Sequence, residues 1–418
     1  VKDTVADLAI LGGTPTFPRM LQVGTPSVGE RSRLFERLRT ALDNKWLTNG
    51  ALVREFEEHI ATLAGVRHCV ATCSGTMALQ LLYQATGLTG EIIMPAMTYV
   101  ATAHAASMLG LTPVFADVDP ETGCLDPQRV ETVLTPRTSG IVGVHLWGRP
   151  SPAGELEKVA AAHGLTLVFD AAHALGCSHQ GRRIGGFGSA EMFSFHATKV
   201  VNCFEGGAVA TNDDALAGEL RALRTFGITT DGRSVGVGTN AKMTEASAAM
   251  GLTSLDAMAT TVRHNRANHA RYHAALRGLG GLAVVDFDEA QEPNWQYVIL
   301  RIDEAVTGIH RDLVMRILRA ENAGAQRYFS PGCHQLEPYR SQRPVSLPHT
   351  ERLAEQVLAL PTGPAVGAAD IDRICRIVRC AISHGPELTN RLDPRPTRPF
   401  ATSQKAPQID EIHVHRRG

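Results

Sequence analysis

The stretch 192–210 reads MFSFHATKVVNCFEGGAVA and carries the residue that most needs a chemical explanation, Lys199. Met192, Phe193 and Phe195 make a strand-like apolar run, a turn of small residues then carries the lysine, and Gly206 and Gly207 lead into a second short apolar run. A lysine on a tight turn between two strands, with Ser194 and His196 near it, is unusual for a side chain that ordinarily points into water. A free lysine amine has a pKa near ~10.4, so a nucleophilic lysine must sit where neighbours and desolvation favour its neutral or imine form. The chemistry this allows is a Schiff base with a carbonyl cofactor. The alternative is a solvated loop lysine, and residues elsewhere in the chain have to decide.

The elements that would position this lysine follow from the pattern of apolar residues. Residues 1–30 are rich in Gly and Pro (GGTPTFP, VGTPSVGE) and read as an arm leading to a first helix over 30–42, where Leu34, Leu38, Ala41 and Leu42 fall at helical spacing. KWLTNG at 45–50 is a turn, and 53–63 resumes a helix. From 66 onward short apolar runs appear at 68–72, 91–94, 112–118, 141–146, 165–169, 191–195 and 207–210, with helices expected between them at 76–85, 98–109, 127–134 and 153–163. Short buried-type strands alternating with helices predict an α/β unit, over 31–258, built on a largely parallel sheet covered on both faces. A basic helix from about 257 connects it to a smaller α/β unit over 259–384, with strands in GLAVVDF and QYVILRI and helices at 309–321, 350–358 and 369–382. The remainder, 385–418, is Pro/Arg/Thr-rich without periodicity and is expected to be a mobile tail; its IHVHRRG end is read as tail, and no metal site is expected.

In parallel sheets of this kind ligands bind beyond the carboxyl ends of the strands, so the residues that follow each run matter most. After the first comes Cys73-Ser74-Gly75-Thr76, a small turn opening a helix, which can present backbone N–H groups and hydroxyls to an anion or be no more than an ordinary cap. After the second, Tyr99 stands at the start of the next helix as core residue or aromatic platform. After the fifth comes Asp170-Ala171-Ala172-His173, closing the apolar run LTLVFD. A carboxylate there is costly to bury unless a cation meets it, and no Arg or Lys adjoins it in sequence; a helix cap is the alternative. Together these pieces fit one ligand. A phosphate cradle, an aromatic face, a buried carboxylate and a Schiff-base lysine are what pyridoxal phosphate requires, the carboxylate keeping its pyridine nitrogen protonated so that the ring can act as an electron sink.

The bulk composition agrees with an enzyme of this type. The 418 residues are 44% hydrophobic and 20% charged with a formal net charge of -1, an ordinary globular balance with no field to draw the chain to nucleic acid or anionic lipid. No apolar segment approaches the ~18 residues a membrane span needs, and VKDTVADLAILGG at the start has acidic residues where a secretory signal would be basic. The eight cysteines show no CxxC pair and no zinc spacing, and are expected to be free thiols in a reducing compartment. The expected setting is cytoplasmic.

Five motifs, CSGTMAL, PAMTYVATAHA, DAAHALG, FSFHATK with EGGAV, and GTNAKMTEASAAMGL, resemble those of the DegT/DnrJ/EryC1/StrS family of pyridoxal-phosphate-dependent sugar aminotransferases, over roughly 9–383. The resemblance implies an aspartate-aminotransferase-like fold type I, with a large, mostly parallel seven-stranded sheet domain and a smaller C-terminal α/β domain. It also implies a homodimer with shared active sites. It assigns Lys199 to the Schiff base, Asp170 to the pyridine nitrogen and His173 to the neighbourhood of the ring's phenolic oxygen. Tyr99 would stack on the ring, Gly75, Thr76 and Ser194 would bind the phosphate, and Asn240 would reach the phosphate from the other subunit.

Family members with histidine at the lysine position act as sugar 3-dehydratases, so Lys199 favours transamination. FSFHATK with EGG resembles enzymes that aminate C4 of nucleotide-linked 4-keto-6-deoxysugars, whereas 3-aminotransferases more often carry a FYPxKNLG-like form. The expected reaction moves the amino group of L-glutamate to C4 of a keto sugar carried on a nucleoside diphosphate, dTDP in the first instance. The expected setting is deoxysugar or antibiotic biosynthesis, or a surface polysaccharide. The turn at 47–50, through Thr48, and the loop residues Tyr328 and His334 are expected near the sugar nucleotide. A 3-aminotransferase, an aminocyclitol aminotransferase and a non-enzymatic cofactor-binding scaffold would share the same cofactor residues.

Overall fold

All seven apolar runs enter one sheet. A computed structural model describes residue 2 and residues 4–393 of the chain. Its strands are β1 (His68–Thr72), β2 (Glu91–Pro95), β3 (Thr112–Ala116), β4 (Thr138–Val144), β5 (Thr166–Asp170), β6 (Ala190–Ser194) and β7 (Gly207–Thr211), in the order β1-β7-β6-β5-β4-β2-β3. Every pairing is parallel except those of β7, which runs antiparallel to both β1 and β6. The exception follows the connection: β6 and β7 are joined directly by the lysine loop, 195–206, which contains no helix to carry the chain back across the sheet.

Helices cover both faces. On one side α1 (Arg31–Asp43) and α2 (Ala51–Ala64) pack with α8 (Glu245–Leu276) over Ile93, Phe169 and Phe193. On the other, α3 (Gly75–Ala85) and α4 (Ala101–Met108) bury Leu79, Leu82 and Ala105 against Val70, Ile92 and Val142. α5 (Pro127–Thr132), α6 (Ala153–His163) and α7 (Asp214–Leu223) complete the layers. α4 begins three residues later than its sequence pattern predicts, because 96–100 form the loop at the strand end, and β4 stops at Val144, ahead of a turn in which Trp147 adopts φ 56°.

A smaller antiparallel sheet, β8 (Leu282–Val284), β9 (Val298–Ile302) and β10 (Val357–Leu360), follows. It is joined by α9 (Arg311–Ala320), α10 (Pro348–Gln356) and α11 (Ala368–Ser383). The expected boundary at 258–259 falls inside α8, a single 32-residue helix that serves both cores. The first residues are no free arm: Val5, Leu8 and Phe17 are buried in the smaller core, and the fully buried Glu321 carboxylate accepts from the N–H groups of Ala9 (2.6 Å) and Thr16 (2.8 Å). The tail expected from 385 begins instead with a helix, α12 (Gly385–Leu392), which carries Pro386 in its first turn and buries Leu388. Pro fixes the first turn and a single apolar anchor suffices, a signal too short for periodicity to reveal. The rest of that tail, 394–418, lies outside the described residues. Among the described residues no helix is long and apolar enough to cross a membrane.

Candidate active site

The sheet register brings the ends of three strands to one place. Thr72 at the end of β1 and Ser194 at the end of β6 both pair with Gly207, the first residue of β7, and Asp170 at the end of β5 pairs with Met192. Beyond these ends lies a cavity of about 570 Å³ lined by Gly75, Thr76, Tyr99, Asp170, His173, Ser194, Lys199 and Tyr328. A larger open groove of about 910 Å³, beside His59, Leu255 and Met258, has no comparable gathering of reactive groups.

One wall is an anion cradle. Ser74 caps α3, its Oγ accepting from Met77 N (3.2 Å), while Thr72 Oγ1 donates to Ser74 O (2.9 Å) and fixes the turn. The first N–H groups of α3 are thereby directed at the cavity, where the helix dipole and the Thr76 and Ser194 hydroxyls favour a phosphate. The turn can lie this close to β7 only because residue 207 is glycine: a Cβ there would stand 2.5 Å from Ser74 O and 2.6 Å from Gly75 N.

Asp170 is buried, and no ion pair to it occurs among the described residues. Its Oδ2 accepts from Thr102 Oγ1 (2.7 Å) and its Oδ1 from Ala172 N (3.0 Å). Thr102 Oγ1 in turn lies 2.8 Å from Thr98 Oγ1; because Thr102 gives its proton to the carboxylate, it accepts from Thr98. Burial raises the Asp170 pKa, and the hydrogen bonds and the Lys199 charge only partly oppose this. The carboxylate therefore retains an unmet demand for a cation, which a protonated pyridine nitrogen supplies.

His173 Nδ1 accepts from Trp147 N (3.2 Å), so the proton of the neutral ring sits on Nε2, where it can be donated into the site. Burial, with the Lys199 charge added, holds this imidazole well below its ordinary value and hence neutral. Lys199 is fixed through its backbone: its N–H donates to His196 O (2.9 Å), Cys203 N–H donates to Phe195 O (2.8 Å), and Phe195, Val200 and Val201 are buried on either side of it. Burial lowers the Lys199 amine to about 8, with Asp170 opposing. Anion cradle, buried carboxylate, neutral histidine donor and depressed lysine together fit pyridoxal phosphate.

Residues 29–379 match the DegT/DnrJ/EryC1/StrS aminotransferase family. The chain belongs to that family. It is a pyridoxal-phosphate-dependent sugar aminotransferase with the fold type I architecture. Among solved structures, DesI in the presence of its TDP-sugar product is 59% identical, covering 93% of this chain and 99% of its own, with a TM-score of 0.91. DesV of S. venezuelae is 33% identical over 84% of this chain and 95% of its own, with a TM-score of 0.79. The aminotransferase TlmJ from Streptoalloteichus hindustanus is 27% identical over 87% and 99%, with a TM-score of 0.81.

Three of the aminotransferase's expected site residues lie outside the cavity. His334 is a correction: it is buried against Glu351 (Nε2 to Oε1, 3.2 Å), because the Gly332-Cys333 turn tucks the chain inward and leaves Gln326, Tyr328 and Phe329 at the cavity. Thr48 and Asn240 are both exposed on the surface of the chain. Asn240 is held by a bridge to Thr225, and Thr48 is held at the start of α8. Thr48 bridges Thr244, Asn49 N–H donates to Met243 O (3.0 Å), and the buried Glu245 carboxylate accepts from the N–H groups of Gly50 (2.8 Å), Leu52 (2.9 Å) and Val53 (3.1 Å).

Three residues of the site went unnoticed in the sequence. Thr98 and Thr102 have i, i+4 spacing in PAMTYVAT after β2, a pattern that does place both hydroxyls on one side and could have flagged them. Tyr297, from β9's leading edge, had no such signal.

Proposed function

We propose that this aminotransferase moves the amino group of L-glutamate to C4 of a 4-keto-6-deoxyhexose carried on dTDP. The observation that carries this reading is the 59% identity, along nearly the whole of both chains, to DesI solved with its TDP-sugar product. The FSFHATK and EGG forms in this chain support C4 over C3.

Pyridoxal phosphate, when bound, supplies an electron sink that acidifies the donor's α-carbon. The chain's own groups do the rest. On this reading Lys199 Nζ is the covalent anchor and, once released, takes the proton from the donor's α-carbon. The Asp170 carboxylate keeps the pyridine nitrogen protonated, and His173 Nε2–H donates to the phenolic oxygen. The first turn of α3 with Thr76 and Ser194 holds the phosphate, Tyr99 stacks on the ring, and Tyr328 stands on the sugar side. Proton transfer of this kind contributes about 10² to 10⁴ in rate, so Lys199→Ala should abolish measurable turnover.

A second subunit completes the site in this reading. Asn240, bridged to Thr225, and Thr48, bridged to Thr244, are both exposed and would serve the cavity of a partner in a homodimer. The cytoplasm is the setting that fits; the eight free cysteines, seven of them buried, are in keeping with it.

The test is direct. Enzyme loaded with cofactor is mixed with L-glutamate and its spectrum followed, the long-wave band in the region of about 400–430 nm being expected to give way to one near ~330 nm. dTDP-4-keto-6-deoxyglucose is then added and the product analysed by NMR. Nitrogen on C4 with stoichiometric 2-oxoglutarate supports the proposal; nitrogen on C3, or a band indifferent to glutamate, refutes it.

A further inference from the structure

Lys199 has a neighbour from the other half of the molecule. Tyr297 stands immediately before β9, 4% exposed, and its hydroxyl lies 3.4 Å from Lys199 Nζ. Its ring is held edge-on to His173 (4.8 Å between centroids, 65°) and to Tyr328 (5.5 Å, 87°), so the hydroxyl is aimed by packing. The same ring lines the cavity that holds Asp170 and the α3 turn. A separation of 3.4 Å is long for a hydrogen bond, as such contacts often are before substrate is bound.

We infer that the Tyr297 hydroxyl is the hydrogen-bond partner that keeps the Lys199 amine in position, in both of its protonation states, while the lysine is free of the cofactor and carries the proton. The inference rests on the proposed role of Lys199 as anchor and base. A phenol suits the task because it accepts from an ammonium and donates to a neutral amine. Burial raises the Tyr297 pKa far above its ordinary value, so the group stays a neutral hydroxyl throughout. A carboxylate at this position would hold the lysine charged and spoil it as a base; an apolar side chain would leave it without a partner.

The other titratable groups at the cavity are Asp170, His173, His145, Tyr99 and Tyr328, with His196 and Glu205 nearer its exposed rim. Asp170 raises the Lys199 pKa while burial lowers it. Accepting from an ammonium is the stronger of the hydroxyl's two bonds because it is charge-assisted, so the hydroxyl also favours the charged form. Its removal should therefore lower the midpoint of Lys199 further.

The experiment compares the wild type with Tyr297→Phe, which keeps the ring and its contacts. As a control, Tyr272→Phe removes a buried hydroxyl bonded to Pro361 O (2.9 Å), away from the lysine. In cofactor-free protein, Lys199 is titrated by the pH dependence of its acylation, read by peptide mass spectrometry. The expected midpoint for Tyr297→Phe lies about one pH unit below that of the wild type, with the control unmoved. The glutamate half-reaction should slow by roughly 10-fold to 100-fold with its KM little changed. Borohydride trapping of the cofactor on Lys199 is run in parallel. Normal trapping with an unchanged midpoint in Tyr297→Phe overturns the inference and leaves the Lys199 assignment standing; absence of trapping on Lys199 in the wild type overturns both.

Discussion

Asp170 is unstable by construction, and this is measurable. Its carboxylate is buried at the end of β5 with hydrogen-bond donors but, among the described residues, no ion pair, and burial raises its pKa. A carboxyl whose folded pKa exceeds its unfolded one favours the native state in acid and loses that advantage as pH rises through the folded value. In cofactor-free protein, Asp170→Asn should raise the melting temperature at pH 7, since the neutral amide has no charge to desolvate. Asn Oδ1 can accept from Ala172 N, and the Thr102 hydroxyl can turn to accept from Nδ2 and donate to Thr98. The advantage over the wild type should vanish below about pH 4, where Asp170 is protonated in both states. Activity should move the other way, by a loss of about 10² or more, because the fixed charge has been removed from the site. A mutant less stable than the wild type at pH 7 would mean that the two donor hydrogen bonds outweigh the burial of the charge. The same logic shows why this residue was legible in the sequence: a carboxylate closing LTLVFD is costly unless something charged meets it. Tyr297 was not legible, because it is 98 residues from Lys199 and arrives on a strand of the other sheet. His334 was misread for the opposite reason, since a histidine in a Pro- and Gly-bearing loop looks available until the fold turns it inward.

Among the elements, a close tolerance that bears on the site lies between the α3 turn and the start of β7. Gly207→Ala would bring a methyl group within 2.5 Å of backbone at Ser74, so the helix start must retreat. We expect a cost of about 1–3 kcal/mol from such overpacking. Cofactor affinity should also fall by about 10-fold, since hydrogen bonds from the displaced N–H groups are lost. Gly218 is the control: it lies within α7 with nothing inside 4 Å of an added Cβ, and Gly218→Ala should stabilise by roughly 0.5–1 kcal/mol and leave affinity alone. Denaturant unfolding and cofactor titration of the two variants separate the effects, and wild-type affinity in Gly207→Ala would show that the turn is not the cradle. The seven strands could be read from sequence because each is a short apolar run ended by polar or small residues, and their hydrophobic faces admit one register. The sheet order and the reversed β7 could not, since they depend on how long each connection is and which way it crosses. α12 and the packed residues 5–17 were missed because a single buried Leu388, or Val5 with Leu8, carries no period.

For the whole molecule, the exposed apolar side chains bear on the proposed homodimer. Tyr99 is 61% exposed at the cavity, Trp46 65%, Met108 72% and Val237 86%. The loop bearing Val237 is pinned on α3 by Gln84 Nε2 donating to its carbonyl (2.6 Å), so its exposure is held rather than incidental. Exposed apolar side chains of this kind suit a two-fold interface, and in the proposed homodimer each subunit would offer them, with Thr48 and Asn240, to the other. If sites are shared in this way, subunits with different lesions should rescue one another. Lys199→Ala spoils a subunit's own cavity, and Asn240→Asp sets a negative charge against the phosphate in its partner's. Each homodimer would be inactive or nearly so. In a mixed dimer one cavity collects both lesions and the other neither, so subunits unfolded and refolded together in equal amounts should regain about a quarter of wild-type activity, half the dimers being mixed with one sound site in two. Refolding each variant alone should give none. If Asn240 instead serves its own protomer, each cavity of a mixed dimer carries one lesion and the mixture stays as inactive as its parts, which would leave the exposed apolar surface without a catalytic purpose.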